Sequence, residues 1–372
     1  MSAPPLDIVI LGLSLSSSWG NGHATTFRAL LRGLHEAGHR VTFLERDVPW
    51  YAEHRDLPAP DFCSLRYYSS LEGLRARFGT TIAAADAVII GSYVPDGIAV
   101  IDLVTGLRPG GTHFYDIDTP ITLAALAAGD AEYLARRQVG VFDTYFSFTG
   151  GPVLRRLEHE FGARRAEALY CAVDADRYVN TGEEKHWDLG YLGTYSPDRQ
   201  PTLERLLIEP ARRLPHMRFV VAGPQYPGEI EWPANVERID HLPPSEHASF
   251  YSRQRFTLNV TRADMIAAGW SPSVRLFEAS ACETAIISDE WPGLGELLPD
   301  GRALLIARTS DDVVTYLTDM TDEARREIAA GARARVLSGH TGRVRARELA
   351  ESLARHRAAA EIEPEAPAAI PA

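Results

Sequence analysis

Lysine is almost absent from this sequence: among 38 basic residues only Lys185 is a lysine, a bias that belongs to composition rather than to function. Cysteine is scarce as well. Cys63, Cys171 and Cys282 are widely spaced, so they build no disulfide framework, and no CxxC pair marks a structural zinc. A reducing, cytoplasmic setting is therefore expected, with no metal. Long apolar runs are missing too. The run from Ile8 to Leu15 is too short to span a bilayer and passes into serines and glycines. Asp7 is the first charged side chain, so neither a secretory signal nor membrane insertion is expected. Positive charge is in deficit. Fifty acidic residues against 38 basic ones give a net charge of −12, which excludes a sequence-independent grip on nucleic acid. Nucleotide fingerprints are absent as well: no GxxxxGK[ST] occurs, and GxGxxG spacing fails after Gly12.

What is present is a chain of 372 residues, 45% hydrophobic and 24% charged, enough for about two to three domains with sizeable cores. The run Leu6 to Leu13 (LDIVILGL) is continuously apolar, as a central parallel strand should be. After it comes a small-residue loop, and then Phe27, Leu30, Leu31 and Leu34 recur at helical spacing until Gly38. Further strands are expected at Val41 to Leu44, Ala87 to Gly91, Thr112 to Tyr115 and Thr144 to Phe148. The pattern then restarts, with strands at Asp188 to Leu192, Phe219 to Ala222, Phe256 to Val260 and Ala285 to Ser288. Helices are expected at Glu204 to Leu214, Val274 to Cys282, Asp322 to Leu337 and Thr341 to His356. This alternation predicts an α/β chain with two tandem, doubly wound parallel sheets. The expected division is a first domain over 1–177, a polar linker over 178–187 and a second domain over 188–338. A C-terminal helix over 339–357 should pack back toward the first domain, and an Ala/Pro/Glu-rich, disordered tail should fill 358–372.

Open α/β sheets bind ligands beyond the carboxyl ends of their strands, so the expected site is the cleft between two such sheets. The loop after the first strand holds Gly20, Asn21, Gly22 and His23; its glycines suit either a close ligand or a flexible turn. Asp116 and Asp118 end another strand. They suit orienting a histidine or holding sugar hydroxyls, although an Asp cap ahead of Pro120 explains Asp118 or Thr119 equally. Thr149, Gly150, Gly151 and Pro152 form a third loop that admits a close ligand. In the second half, Gly193, Thr194 and Tyr195 lead to Arg199, and Gly223 and Gln225 follow the next strand. Arg262 follows another, and Ser271, Pro272, Ser273 and Val274 open a helix whose free amides suit a diphosphate. Arg199 and Arg262 suit phosphate charge. Glu278 lies just over a turn into that helix, where it can accept hydrogen bonds from vicinal hydroxyls. Trp50, Tyr51, Tyr67 and Tyr68 line an acceptor site or form a partly buried loop cluster. His113, His241 and His247 are expected to be hydrogen-bonded structural histidines.

The stretches NVERIDHLPPSEHASFYSRQRFTLNVTR, SPSVRLFEASACETAIISD and GLGELLPDGRALLI resemble the nucleotide-binding domain of GT-B glycosyltransferases. The likeness is to the group-1 family and its CgeB-like, spore-maturation branch. That family carries an acid, seven residues and a second acid; Glu278 falls at the second position and Trp270 at the first. Glu283 stands where the family has glycine. The resemblance implies a GT-B fold, two Rossmann-like domains facing a cleft, with Glu278 on the donor ribose. It also implies a metal-independent transferase of the hexosyltransferase type. This enzyme would move a sugar from a nucleoside-diphosphate sugar, its co-substrate, to a hydroxyl-bearing small molecule or glycan, with no other cofactor. His23, placed ahead of Gly38 as in the inverting branch, would be the general base. The alternatives are a GT-B-shaped nucleotide-sugar epimerase and a non-catalytic nucleotide-sugar-binding protein.

Overall fold

The computed structural model describes residues 4–19 and 22–362. Gly20 and Asn21, read above as part of a candidate loop, lie outside the described residues, as do 363–372 of the expected disordered tail. Residues 358–362, expected in that tail, instead continue the last helix, Gly342–Ile362. Alanine and glutamate there are good helix formers, and no proline intervenes before position 364.

Two compact units divide the chain. One comprises Met1–Phe148, Leu154–Leu169 and Arg345–Ala372; the other comprises Thr149–Val153 and Tyr170–Val344. The stretch 178–187 falls in the second unit, where Lys185 Nζ donates to the Ser252 carbonyl at 2.6 Å.

The first unit contains β1 (Asp7–Gly12), β2 (Arg40–Arg46), β3 (Ser64–Tyr68), β4 (Ala87–Gly91), β5 (Thr112–Asp116), β6 (Thr144–Ser147) and β7 (Ala166–Ala168). They pair in parallel in the order β3-β2-β1-β4-β5-β6-β7. Ile8 of β1 lies between Val41 and Ala87, so this strand is central and its continuous apolarity is used on both faces. The helix Gly22–Glu36 buries Phe27, Leu30, Leu31 and Leu34 against it. Gly12 is needed there: a Cβ on it would lie 2.3 Å from the Phe43 ring. The C-terminal helix packs on this unit through Leu349 and Leu353, and Arg357 pairs with Asp86 at 2.8 Å.

The second unit contains β8 (Trp187–Leu192), β9 (Phe219–Ala222), β10 (Val236–Ile239), β11 (Gln254–Asn259), β12 (Ala285–Ser288) and β13 (Leu305–Ile306). Its order, β10-β9-β8-β11-β12-β13, repeats that of the first six strands of the first sheet, which has β7 as an additional edge strand. Both sheets are therefore Rossmann-like, and their strand order reverses at β1/β4 and at β8/β11. The helical stretch after β8 begins earlier than expected, at Gln200, and widens to a π-turn over Glu204–Ile208. Pro210 lies just beyond and has no N–H to give the preceding turn, which explains the widening.

Candidate functional site

Each switch point carries an unusual set of side chains. At the first, His23 is the second residue of the helix Gly22–Glu36 and is half-buried. Burial pushes its imidazole down to about 4, so it is neutral at pH 7. Its ring meets Tyr93 edge-on, with centroids 5.4 Å apart. Tyr93, just past β4, holds a left-handed backbone at φ 63°, a conformation that costs a non-glycine residue on the order of 1–3 kcal/mol. Its hydroxyl donates to Asp118 Oδ2 at 3.1 Å, and burial followed by the charge of Asp118 raises its pKa. Asp118 occupies the N-cap position of the helix Thr119–Ala128 but makes no side-chain cap bond.

Asp116 does not share this role. Both of its oxygens are engaged inside the sheet, by the Tyr145 hydroxyl at 2.6 Å and the Thr122 hydroxyl at 2.8 Å, and it is fully buried. Burial raises it to about 6, against the opposing hydrogen bonds. Leaving the strand separates the two acids: Asp116 ends β5, whereas Asp118 lies beyond it at the start of the next helix, so the same-face pleat does not reach it. Gly22 is exposed, and a Cβ on it would meet nothing within 4 Å, so packing does not require glycine there.

The second switch point is built from glycine and arginine. A Cβ on Gly223 would lie 2.1 Å from the Gly193 carbonyl oxygen, so the loops after β8 and β9 touch backbone to backbone. Tyr195 N donates to the Pro224 carbonyl at 3.0 Å, and the Tyr226 hydroxyl to the Gly193 carbonyl at 3.0 Å. Gln225 is exposed with φ 70°, a second strained position. Arg199 donates from one terminal nitrogen to the Thr194 carbonyl at 2.6 Å, while its Nε is buried without a partner. Burial first, and then the positive charges of Arg275 and Arg262, pull its pKa down. Arg262 is exposed at the start of the helix Ala263–Ala268.

Arg275 went unnoticed in the sequence. It stands in the helix Val274–Ala281, donates from Nε to the Leu192 carbonyl at 2.5 Å, and reaches Asn259 Oδ1 at 3.0 Å. Its guanidinium lies 2.9 Å from where a Cβ on Gly193 would stand. Asn259 is fixed in turn by Thr261 and Ser288, at 3.2 and 3.0 Å. Its spacing three residues ahead of Glu278, which sets both on one helix face, was the available signal.

The helix opening is narrower than expected. Pro272 has no N–H to offer an anion. Ser271 is buried, and its hydroxyl is shared with Thr149 at 2.8 Å. The Ser273 hydroxyl donates to Asn259 at 2.9 Å, which leaves the backbone amides of Val274 and Arg275 as the open donors of the first turn. Glu278 is 4% exposed, and the hydroxyls that reach it, from Tyr251 at 3.3 Å and from Tyr178, belong to the protein. His247 stands 3.9 Å from it. Gly150 and Gly151 do not open space for a ligand: Tyr170 and Trp270 fill it, at 2.0 and 2.5 Å from where Cβ atoms would be. Tyr67 and Tyr68 are part of β3, Tyr68 being buried, so they do not form a loop surface. His113 is buried with neither ring nitrogen hydrogen-bonded, contrary to expectation; it packs on Phe146 and His356 instead.

Residues 199–351 match the glycosyl transferase-like family. That stretch holds Arg199, Arg262, Arg275 and Glu278. The fold is shared with the sucrose-phosphate synthase of Thermosynechococcus elongatus, at 12% identity and TM-score 0.68 over 95% of this chain and 100% of that one. It is shared with HepE of Anabaena, solved with UDP and glucose, at 12% identity and TM-score 0.68 over 94% and 100% of the two chains. AviGT4, a glycosyltransferase of avilamycin A biosynthesis, matches at 16% identity and TM-score 0.61 over 95% and 99%. No curated protein matches the chain in sequence. The fold class is therefore GT-B, two Rossmann-like domains in tandem. Among the described residues, no helix is long and apolar enough to cross a membrane, and no three His, Cys, Asp or Glu side chains group as a metal site.

Proposed function

We propose that the chain is a cytoplasmic glycosyltransferase that moves a hexose from a nucleoside-diphosphate sugar to a hydroxyl-bearing acceptor, without a metal ion. The observation that carries this reading is the pair Arg199 and Arg275, which make no salt bridge among the described residues, Asp198 and Asp289 acting on them only at longer range, and which face the Gly193 and Gly223 loops inside the matched stretch. Two guanidiniums in each other's field, without a carboxylate in contact, favour an anion that can bridge them, and a diphosphate is such an anion. Arg262 and the amides of Val274 and Arg275 add to that site, and their combined charge would stabilise the leaving diphosphate in the transition state. Glu278 takes the ribose hydroxyls, which replace the tyrosine hydroxyls of Tyr251 and Tyr178. Thr194, Tyr195 and Gln225 border the donor.

On the first unit, His23 takes the proton of the acceptor hydroxyl. Its neutrality at pH 7 makes it available as a base, although its depressed basicity weakens the proton transfer. Asp118 acts through Tyr93 as a positioning residue. Because HepE was solved with UDP and another neighbour, an α-glucosyltransferase, with UDP-glucose, uridine diphosphate is the first nucleotide to test. The CgeB-like branch of the group-1 family is the assignment within the fold that the motifs favour. A thermal-shift series with UDP, ADP, GDP and their glucose conjugates tests the reading. A nucleoside diphosphate should raise the melting temperature in proportion to the logarithm of its concentration. No shift with any of them would refute it, and interconversion of the nucleotide sugar without acceptor would identify an epimerase instead.

A further inference from the structure

Trp19, Trp50 and Val179 are the large apolar side chains found exposed among the described residues, at 41%, 59% and 41%. Two of them meet over one imidazole. Trp19 stacks face to face on His54, with centroids 4.8 Å apart and planes 15° apart, and Trp50 leans on the same ring at 5.6 Å. Trp19 lies in the stretch after β1, and Trp50 and His54 follow β2, so the three rings stand at the carboxyl edge of the first sheet.

This edge is held firmly from below. Glu45, fully buried, accepts the amides of Leu15 and Ser16 at 2.7 and 2.9 Å. Arg28 donates to the Leu15 carbonyl at 3.0 Å and grips Asp56 with two nitrogens, and Asp56 in turn accepts the Ser18 amide and hydroxyl. The Ser17 hydroxyl donates to the His54 carbonyl at 2.8 Å. A network that orders this edge while leaving two neighbouring indoles in water marks an apolar patch suited to a ligand.

The surroundings select its chemistry. Asp47, Glu53 and Asp56 are exposed on the same stretch of chain; Asp47 is paired with Arg55 at 2.6 Å and Asp56 with Arg28 at 2.7 Å, so the rim carries fixed donors and acceptors side by side. With its arginines paired, this rim offers no free cationic cluster among the described residues to hold anionic lipid or nucleic acid. A wholly apolar guest would desolvate these ion pairs and the Glu53 carboxylate without replacing the water they lose. A sugar ring offers both parts: C–H faces that lie flat on indole, and hydroxyls that donate to carboxylates at the rim.

We propose that Trp19, His54 and Trp50 form a binding platform for a saccharide. Its role as the acceptor site rests on the glycosyl-transfer reading; its affinity for sugar does not. Tryptophan fluorescence and saturation-transfer NMR, with maltotriose, cellotriose, mannotriose and chitotriose as probes, test it on the full chain. At least one trisaccharide should bind at millimolar concentration, and Trp50→Ala and Trp19→Ala should each weaken it about tenfold while UDP binding is unchanged. If no trisaccharide binds while UDP does, the platform is refuted and the transfer reading stands. If a trisaccharide binds through these rings while no nucleotide binds, the platform stands and that reading falls. Unchanged sugar affinity in both variants, or preferential binding of p-nitrophenol or of phosphatidylglycerol vesicles, overturns the proposal.

Discussion

The two sheets share one strand order, yet their carboxyl edges carry opposite chemistry. The first edge presents a neutral imidazole, a strained tyrosine and an acid: His23, Tyr93 and Asp118. The second presents glycine backbone and guanidinium: Gly193, Gly223, Arg199 and Arg275. Topology thus fixes where a ligand can lie, and a handful of side chains fix which ligand it is. The first edge is suited to moving a proton and the second to holding an anion.

That contrast can be broken from either side. His23→Ala should leave donor binding intact and lower transfer by about 10²–10⁴-fold, the usual share of a general base. The anomeric configuration of the wild-type product sharpens this: an inverted product fits a base at His23, and a retained one removes that role. Asp116, by contrast, should act on stability and not on chemistry. Its folded value near 6 lies above the unfolded value of 3.8, so its contribution is fully present below about 4 and is lost as pH rises through 6. Urea unfolding between pH 4 and pH 7 should therefore shift in favour of Asp116→Asn relative to wild type by about 3 kcal/mol. Parallel stability curves would show that the burial of this carboxyl costs nothing.

On the second edge, Glu278→Ala should weaken donor binding by about 1.5–3 kcal/mol, read by calorimetry. The smallest effect is expected at Glu283, which ends the helix Val274–Ala281 with φ 56° and with the Thr284 amide bonded back to the Ala279 carbonyl at 3.0 Å. This is the position that glycine normally fills after a helix. Glu283→Gly should therefore raise stability by about 0.5–1 kcal/mol, seen as a higher melting temperature, since the relief of left-handed strain exceeds the entropy glycine costs.

The central strands were legible because burial on both faces leaves a continuous apolar run, as in β1 and β4. Strands at the sheet margins were not: β3 (SLRYY), β7 (AEA) and β10 (VERI) mix charge with apolar residues, and β13 is two residues long. At the candidate site, the positions of Arg199 and of the Gly193 and Gly223 loops after strands were legible in the sequence. Tyr93 was not, since nothing in GSYVPD marks a left-handed tyrosine. The Gly150–Gly151 pair misled for the converse reason. Glycine reports that something comes close, and here the close groups are Tyr170 and Trp270 of the same chain.

The central claim is that the second edge is an anion site that works through paired arginines. Calorimetry of UDP and of uridine with wild type and the Arg199→Ala/Arg275→Ala double variant tests it most directly. The account predicts that UDP affinity falls by at least about 10²-fold, as the loss of two charge-assisted contacts requires, while uridine affinity stays within about twofold. Equal losses for UDP and uridine, or UDP binding undiminished in a folded double variant, would contradict it.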